Sequence, residues 1–442
     1  MSMTRRMALK AAAAAAFGLS ATRLRAEEAA DGGGEMLRQW YHLVLLLVRH
    51  TATYSPPVAS RSFAYLGIAA YQAVASGSTS LVSLEGQING LRGLPVRNPG
   101  KTYNDALITH CVIASAVKAF FSNTGPTGQR AMAAAEKKLK AQAMAGLPQP
   151  VIDDSLAYGE ALTAAILDWS KSDGGAVVEN MGFPMHYDLT PGPAHWVPTS
   201  PIRQQQFPLL PGWGKNRTFA MPDGAACAVP PPPAYSEEKD STFYREALEV
   251  YETGKHLTPE QQAIARFWSD DPMLSPTPPG HWMSIGLQVL AQEKASLDKT
   301  AEVMMRLGVA MADSFIGCWN AKFQYDLVRP VTYIKRVIDP KWEPMLITPP
   351  FPEYPSGHSV ESGAAQVVLT SIYGENFAFS DGTHMRDGIP ARQFASFKAA
   401  AEEAGISRLY GGIHFRAAIV EGLEQGACIG QHAVALRTRS ST

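Results

Sequence analysis

Between Ser296 and about Phe323, apolar residues recur at every third or fourth position. Val303, Leu307, Ala310, Met311 and Phe315 form one stripe, which Cys318 and Trp319 carry up to Lys322 and Tyr325. That period lays one apolar face along an α-helix. The same spacing predicts two helices from Met36 to Ser76, broken at Ser55-Pro56-Pro57. It predicts further helices over Asp105 to Phe121, Thr127 to Ala145, Asp153 to Lys171, Pro259 to Trp268 and Gly280 to Glu293, with Asp153 or Asp154 as an N-cap. No stretch shows the period of two that a half-buried strand requires. The chain is therefore expected to be all-α, as two four-helix-bundle-like units with a long Pro/Gly-rich loop region.

That loop region falls at residues 174–258, between a helical scaffold at 27–173 and a C-terminal helical region at 259–442. Gly182-Phe183-Pro184, Pro191-Gly192-Pro193, Pro211-Gly212-Trp213-Gly214 and the prolines from Pro230 to Pro233 are too closely spaced for helices to persist. Trp196 and Trp213 mark it as ordered and packed on the body. Residues 1–26 read as a Tat-type signal peptide, with Arg5-Arg6 before a short alanine-rich run, so a periplasmic or secreted location is expected. That run, like Leu43 to Val48, is too short to span a bilayer, and stable membrane insertion is not expected. The net charge of −1 gives no basis for nucleic-acid binding. Cys111, Cys227, Cys318 and Cys428 contain no C-x2-C pair, which leaves disulfides and buried thiols both open. His42, His50 and His110 read as core or surface histidines.

The chemistry is concentrated late in the chain. Lys322 and Arg329-Pro330, then Pro355-Ser356-Gly357-His358, then Ser407-Arg408 and His414 supply three cations, a small-residue turn opening a helix, and two histidines. A tetrahedral oxyanion needs donors from several directions. Arg329 and Arg408 can fork onto oxygen pairs, and Lys322 acts as a point charge. Gly357 lets backbone approach, Ser356 offers a hydroxyl, and the following helix aims its positive end at the anion. Lys322 and Arg329 are seven positions apart, about two helical turns, so both can face one pocket.

These blocks match K-x6-R-P, P-S-G-H and S-R-x5-H, and the chain resembles the vanadium haloperoxidase and type 2 phosphatidic acid phosphatase superfamily. Trp319, Pro350-Phe351-Pro352-Glu353-Tyr354, Phe267-Trp268-Ser269-Asp270-Asp271 and Ser55 to Arg61 extend the resemblance to the chloroperoxidase-like branch. The resemblance implies one vanadate per chain, linked to the protein through His414, with phosphate able to occupy the same site. It implies that Lys322, Arg329, Ser356, Gly357 and Arg408 hold the oxyanion, with Asp271 bracing Arg408. His358 would be the acid–base group, Lys322 would polarise peroxide, and Trp319 and Phe351 would line the halide pocket. Hydrogen peroxide, a halide and an organic acceptor are the implied partners, and the Pro/Gly-rich region would wall the channel. The alternative within the superfamily is an acid phosphatase in which His414 attacks phosphorus and His358 protonates the leaving group. That pattern places Asp four residues after the histidine, where this chain has Ala418, and Glu421 or a backbone carbonyl could partner His414 instead. A non-catalytic oxyanion-binding protein is a third reading, which leaves an acid–base histidine without a use. His384 and Arg386, in the loop between Ser380 and Pro390, could enter the site but read first as surface.

Overall fold

The computed structural model describes residues 32–176, 180–200 and 207–440. The expected signal peptide lies outside them. The protein is mainly helical, and its described elements are arranged around one 29-residue helix, α9 (Leu297–Tyr325), buried along nearly its whole length.

On one side of α9 stand α1 (residues 32–49), α2 (Pro56–Ala75), α3 (Asp105–Phe120), α4 (Pro126–Met144) and α5 (Gln149–Ser170). On the other stand α11 (Gly357–Tyr373), α12 (Phe397–Tyr410) and α13 (Arg416–Val434). The two expected bundles thus share α9. The α2–α9 crossing is backbone-close: a Cβ on Gly67 would lie 2.6 Å from the Met305 Cα, and one on Gly308 would lie 2.5 Å from the Phe63 carbonyl oxygen. Only glycine permits that approach, and it brings α2 hard against the helix that leads to the site.

Several expectations change. α5 starts at Gln149 with Pro148 at its N-cap, so Asp153 and Asp154 lie inside the helix; Asp154 pairs with Lys101 at 2.6 Å. The Pro/Gly-rich region contains a regular helix, α6 (Thr242–Lys255), capped by the Ser241 side chain. With α10 (Pro330–Val337) it forms a second, smaller core around Phe243, Val250, Tyr333 and Ile334. Among the described residues strands are confined to a short antiparallel pair, β1 (Phe379–Asp381) and β2 (Arg392–Phe394), and α7 (Pro259–Phe267) and α8 (Thr277–Gln292) complete the α-helices. Cys227 and Cys428 form a disulfide, while Cys111 and Cys318 are buried thiols. No helix among the described residues is long and apolar enough to cross a membrane.

The irregular segments are tied down by their own polar groups. The buried Asp313 carboxylate accepts from the amides of Phe219, Ala220 and Met221, and Trp319 Nε1 donates to the Leu209 carbonyl at 3.1 Å. The Leu209 amide in turn donates to Pro350. The last two bonds hold Leu209 in the wall of the cavity described next, where Met181 and Phe183 also stand.

Candidate active site

α9 does not run on to Arg329. It ends at Tyr325, where Asp326 turns the chain in the left-handed region (φ 49°), and Pro330 opens α10 with Arg329 at its N-cap. Lys322 and Arg329 therefore converge through a break between helices and not along one helical face. Pro330 sits at the first helical position, where its missing N–H costs nothing. Arg329, fully buried, donates from Nε to the Phe351 carbonyl (2.8 Å) and from Nη1 to the Ile413 carbonyl (2.9 Å); its Nη2 has no partner.

The segment before α11 is shaped by Lys322. Its ammonium donates to three carbonyls, Pro352 at 2.8 Å, Glu353 at 3.0 Å and Pro355 at 2.6 Å. Three acceptors demand three N–H donors, although burial pushes the pKa down to about 7. These bonds give Lys322 a hold on residues 352–355. The Ser356 hydroxyl caps α11 by accepting from the Ser359 amide, which leaves its own O–H to donate, and the Ser356 amide donates to the Ala418 carbonyl. Gly357 and His358 do face the cavity, and a Cβ on Gly357 would meet nothing within 4 Å.

Between α12 and α13 the chain turns through Gly412 (φ 77°) and delivers His414 into the same place. Its Nδ1 lies 2.8 Å from Glu353 Oε1, which also accepts from the Phe415 amide at 2.9 Å. Its Nε2 lies 3.2 Å from Arg329 Nη1. A guanidinium can only donate, so Nε2 carries the lone pair and Nδ1 the proton. Burial, reinforced by Arg329 and Lys322, holds the His414 pKa well below the usual range. The ring is thus a neutral imidazole with its lone pair directed among cations. Glu353, absent from the expected site, takes the place proposed for Glu421, which lines a different cavity beside Tyr354 and Ala417.

Arg408 is buried and held by the Ser407 hydroxyl (2.9 Å) and the Trp268 carbonyl. No ion pair or hydrogen bond among the described residues joins it to Asp271, which lines the cavity; burial raises the Asp271 pKa and the Arg408 charge opposes that rise. The deeper carboxylate is Asp270. It contacts His281 and also His384, which was expected at the surface and is instead buried; Arg386 is exposed. Trp319 and Phe351 pack at 4.9 Å between ring centres, and the Phe351 ring lies 5.1 Å from both the Lys322 ammonium and the Arg329 guanidinium.

Gly357, His358, Arg408, His414, Asp271, Trp319 and Phe351 meet at one cavity of about 440 Å³, whose remaining wall is largely apolar. Burial lowers Arg329 and Arg408 to about 10. Buried arginines are favoured by an anionic partner, and Arg408 and Gly357 at the cavity, with Arg329 against His414 Nε2 and its Nη2 unpartnered among the described residues, form an oxyanion cradle. The donor set therefore fits vanadate or another tetrahedral oxyanion.

Across the chain, a solved structure described as the first bacterial vanadium-dependent iodoperoxidase is 40% identical, with a TM-score of 0.83, over 92% of this chain and 97% of the other. The chain belongs to the vanadium haloperoxidase family. Residues 302–441 match the family model for the second helical-bundle domain of vanadium chloroperoxidase. Holo and apo structures of a bacterial vanadium-dependent chloroperoxidase share the haloperoxidase fold at 16% and 15% identity, each with a TM-score of 0.66, over 88% and 86% of this chain and 92% and 93% of theirs. No curated protein sequence matches the chain. Haloperoxidase relatives make this a peroxidase-type enzyme for which vanadate is the implied cofactor.

Proposed function

We propose that the protein uses vanadate, linked through His414 Nε2, to oxidise a halide with hydrogen peroxide to hypohalous acid. The observation that carries this reading is the His414 tautomer: Nδ1–H on Glu353, and an Nε2 lone pair inside the cationic cradle. Vanadate, when bound, supplies a Lewis-acidic centre that activates peroxide without a change in oxidation state. Arg329, Arg408 and the α11 N-terminus would hold its negative oxygens, and Lys322 fixes residues 352–355 beside them. His358, held neutral by burial and by Arg408, takes and returns the proton at Nε2, a buried atom with no other partner. The net reaction, X⁻ + H₂O₂ + H⁺ → HOX + H₂O, consumes one proton.

Iodide is the halide proposed, because it is the easiest of the three to oxidise and the 40%-identical relative is described as an iodoperoxidase. Trp319 and Phe351 wall off water beside the reacting centre. Hydrolysis of phosphate esters is the second reading, favoured by one observation: Glu353 supplies the carboxylate that Ala418 does not, and it would orient His414 as a nucleophile equally well. Purified protein is assayed with and without orthovanadate, using peroxide with iodide, bromide or chloride, beside a phosphate-ester assay. Iodide oxidation that requires vanadate and is lost in His414→Ala supports the reading; ester turnover inhibited by vanadate, with no halide oxidation, reverses it. Export through residues 1–26 is proposed alongside, and a periplasmic fraction unchanged in Arg5→Lys/Arg6→Lys would refute it.

A further inference from the structure

Behind His358 lies a buried set of charged groups that the reaction above leaves unused. His281, on α8, is clamped between two carboxylates: Nδ1 lies 3.0 Å from both oxygens of Asp270, and Nε2 lies 2.7 Å from Asp381 Oδ2. His384 Nε2 reaches Asp270 Oδ1 at 3.2 Å. All four side chains are buried, and His281 stacks on Trp268 with ring centres 4.4 Å apart. Asp270 sits in the left-handed backbone region (φ 50°), as do its neighbours Met273 (φ 68°) and Thr277 (φ 65°). Three non-glycine residues in that region between Asp270 and the first residue of α8 mark a segment that its surroundings over-determine, a feature that clusters at functional sites.

That segment has one visible result. Asp270 Oδ1 is shared by His281 and His384, and Oδ2, itself 3.0 Å from His281 Nδ1, faces His358 Nε2 at 3.9 Å, an atom with no hydrogen bond among the described residues. We propose that His281 is a positioning residue for His358, acting through Asp270, whose carboxylate it keeps aimed as the counter-charge for the proton that His358 takes from hydrogen peroxide. This rests on the reading of the site given above. Burial alone would raise the Asp270 pKa, but His281 and His384 outweigh it and hold the group well below the usual carboxylate range. Burial would lower His281, yet Asp270 and Asp381 push it up to about 10. The clamp is therefore an imidazolium between two anions. A metal ion on Asp270, His281 and His384 would need a lone pair from His281, and both of its nitrogens already face carboxylates. The chemistry is an ion network.

The test compares His281→Leu with His281→Gln, which are similar in volume and differ in whether a donor toward Asp270 survives. Outer partners of this kind are worth about 10- to 100-fold in activity. The Leu variant is expected to lose about tenfold in kcat and the Gln variant markedly less, with KM for iodide within about twofold of the wild type. In an Asp270→Asn background, His281→Leu should cost less than about twofold more, because its effect runs through a group already removed. Equal losses in the Leu and Gln variants, or additive losses with Asp270→Asn, overturn the proposal. If His281 variants do not fold, His384→Gln, which removes the second donor, must lower kcat in the same non-additive way, and a wild-type kcat there overturns it. A wild type that turns over phosphate esters instead is read on that reaction, since His358 is the acid in both. An inactive wild type overturns the site reading itself, whereas an active wild type with indistinguishable variants overturns only the clamp.

Discussion

Filling the cradle should stabilise the whole protein, and tetrahedral oxyanions are the perturbation that shows it. Arg329 Nη2 and His358 Nε2 are buried without partners, and each such group costs roughly 1–3 kcal/mol until satisfied. The N-terminus of α11 adds about 0.3–1 kcal/mol for a nearby negative charge. An anion that satisfies them binds the folded state only. At 100 times its dissociation constant it contributes about 2.7 kcal/mol. With an unfolding entropy of about 2.1 cal/mol/K per residue, the 442-residue chain gains about 3 °C in Tm. Calorimetric scans with sulfate, phosphate and orthovanadate at equal concentration measure it. Sulfate probes the cradle alone, while orthovanadate adds the bond to His414 Nε2 and should give the larger shift. His414→Ala is expected to erase the excess of vanadate over sulfate and to keep the sulfate shift. No shift with any of the three anions, or an undiminished vanadate excess in His414→Ala, refutes the reasoning.

Glu353→Ala removes the acceptor of both His414 Nδ1 and the Phe415 amide, and kcat/KM at saturating vanadate should fall about 10- to 100-fold; wild-type activity would show that the ring needs no anchor. Lys322→Arg keeps the charge but cannot converge on three carbonyls as an ammonium does, so Tm and the orthovanadate shift should both drop; an unaltered variant would mean that Lys322 contributes charge alone. Anion binding at pH 8 should take up protons. Burial sets Glu353 and Lys322 each to about 7, so without an anion both lose protons as pH rises through 7, and a bound anion raises both pKa values. Affinity then weakens as pH rises above 7, by up to about tenfold per unit for each proton taken up. Titration calorimetry in two buffers of different ionisation enthalpy reads the proton count, and net release would contradict the sign.

The helices were legible because their apolar period is long and regular, and the three site blocks because each carries chemistry at fixed local spacing. What remained hidden is non-local. Glu353 meets His414 across 61 positions, and nothing in the spacing of either block says which carboxylate closes the pair. Its signal was an acidic residue in a proline-rich, otherwise apolar run, a placement that burial makes costly without a partner. His384, read first as surface, lies in the loop between β1 and β2 and is buried against Asp270, a contact across 114 positions. Lys322 and Arg329 reached one pocket for a reason other than helical phase, since Asp326 breaks the helix between them. The Cys227–Cys428 pairing is a fact of topology, joining the irregular segment to α13 across 201 positions.

The division of labour among the cations follows from their shapes. Lys322 and Arg329 both touch the segment leading into α11, yet only Arg329 retains a free donor. An ammonium gathers acceptors around a point, which suits it to bend residues 352–355 into the turn that carries Glu353 beneath His414. A guanidinium spreads donors over a plane, so Arg329 can hold the Phe351 and Ile413 carbonyls, support His414 Nε2, and still offer Nη2 to a guest. Burial and the cations hold His414 and His358 neutral, Glu353 and Asp270 face the two rings as acceptor and counter-charge, and Arg329 Nη2 is left unconsumed among the described residues. A structural ion network would close on itself, as His281 does between Asp270 and Asp381. This one stays open on the side of the cavity, and that asymmetry separates the binding site from the support behind it.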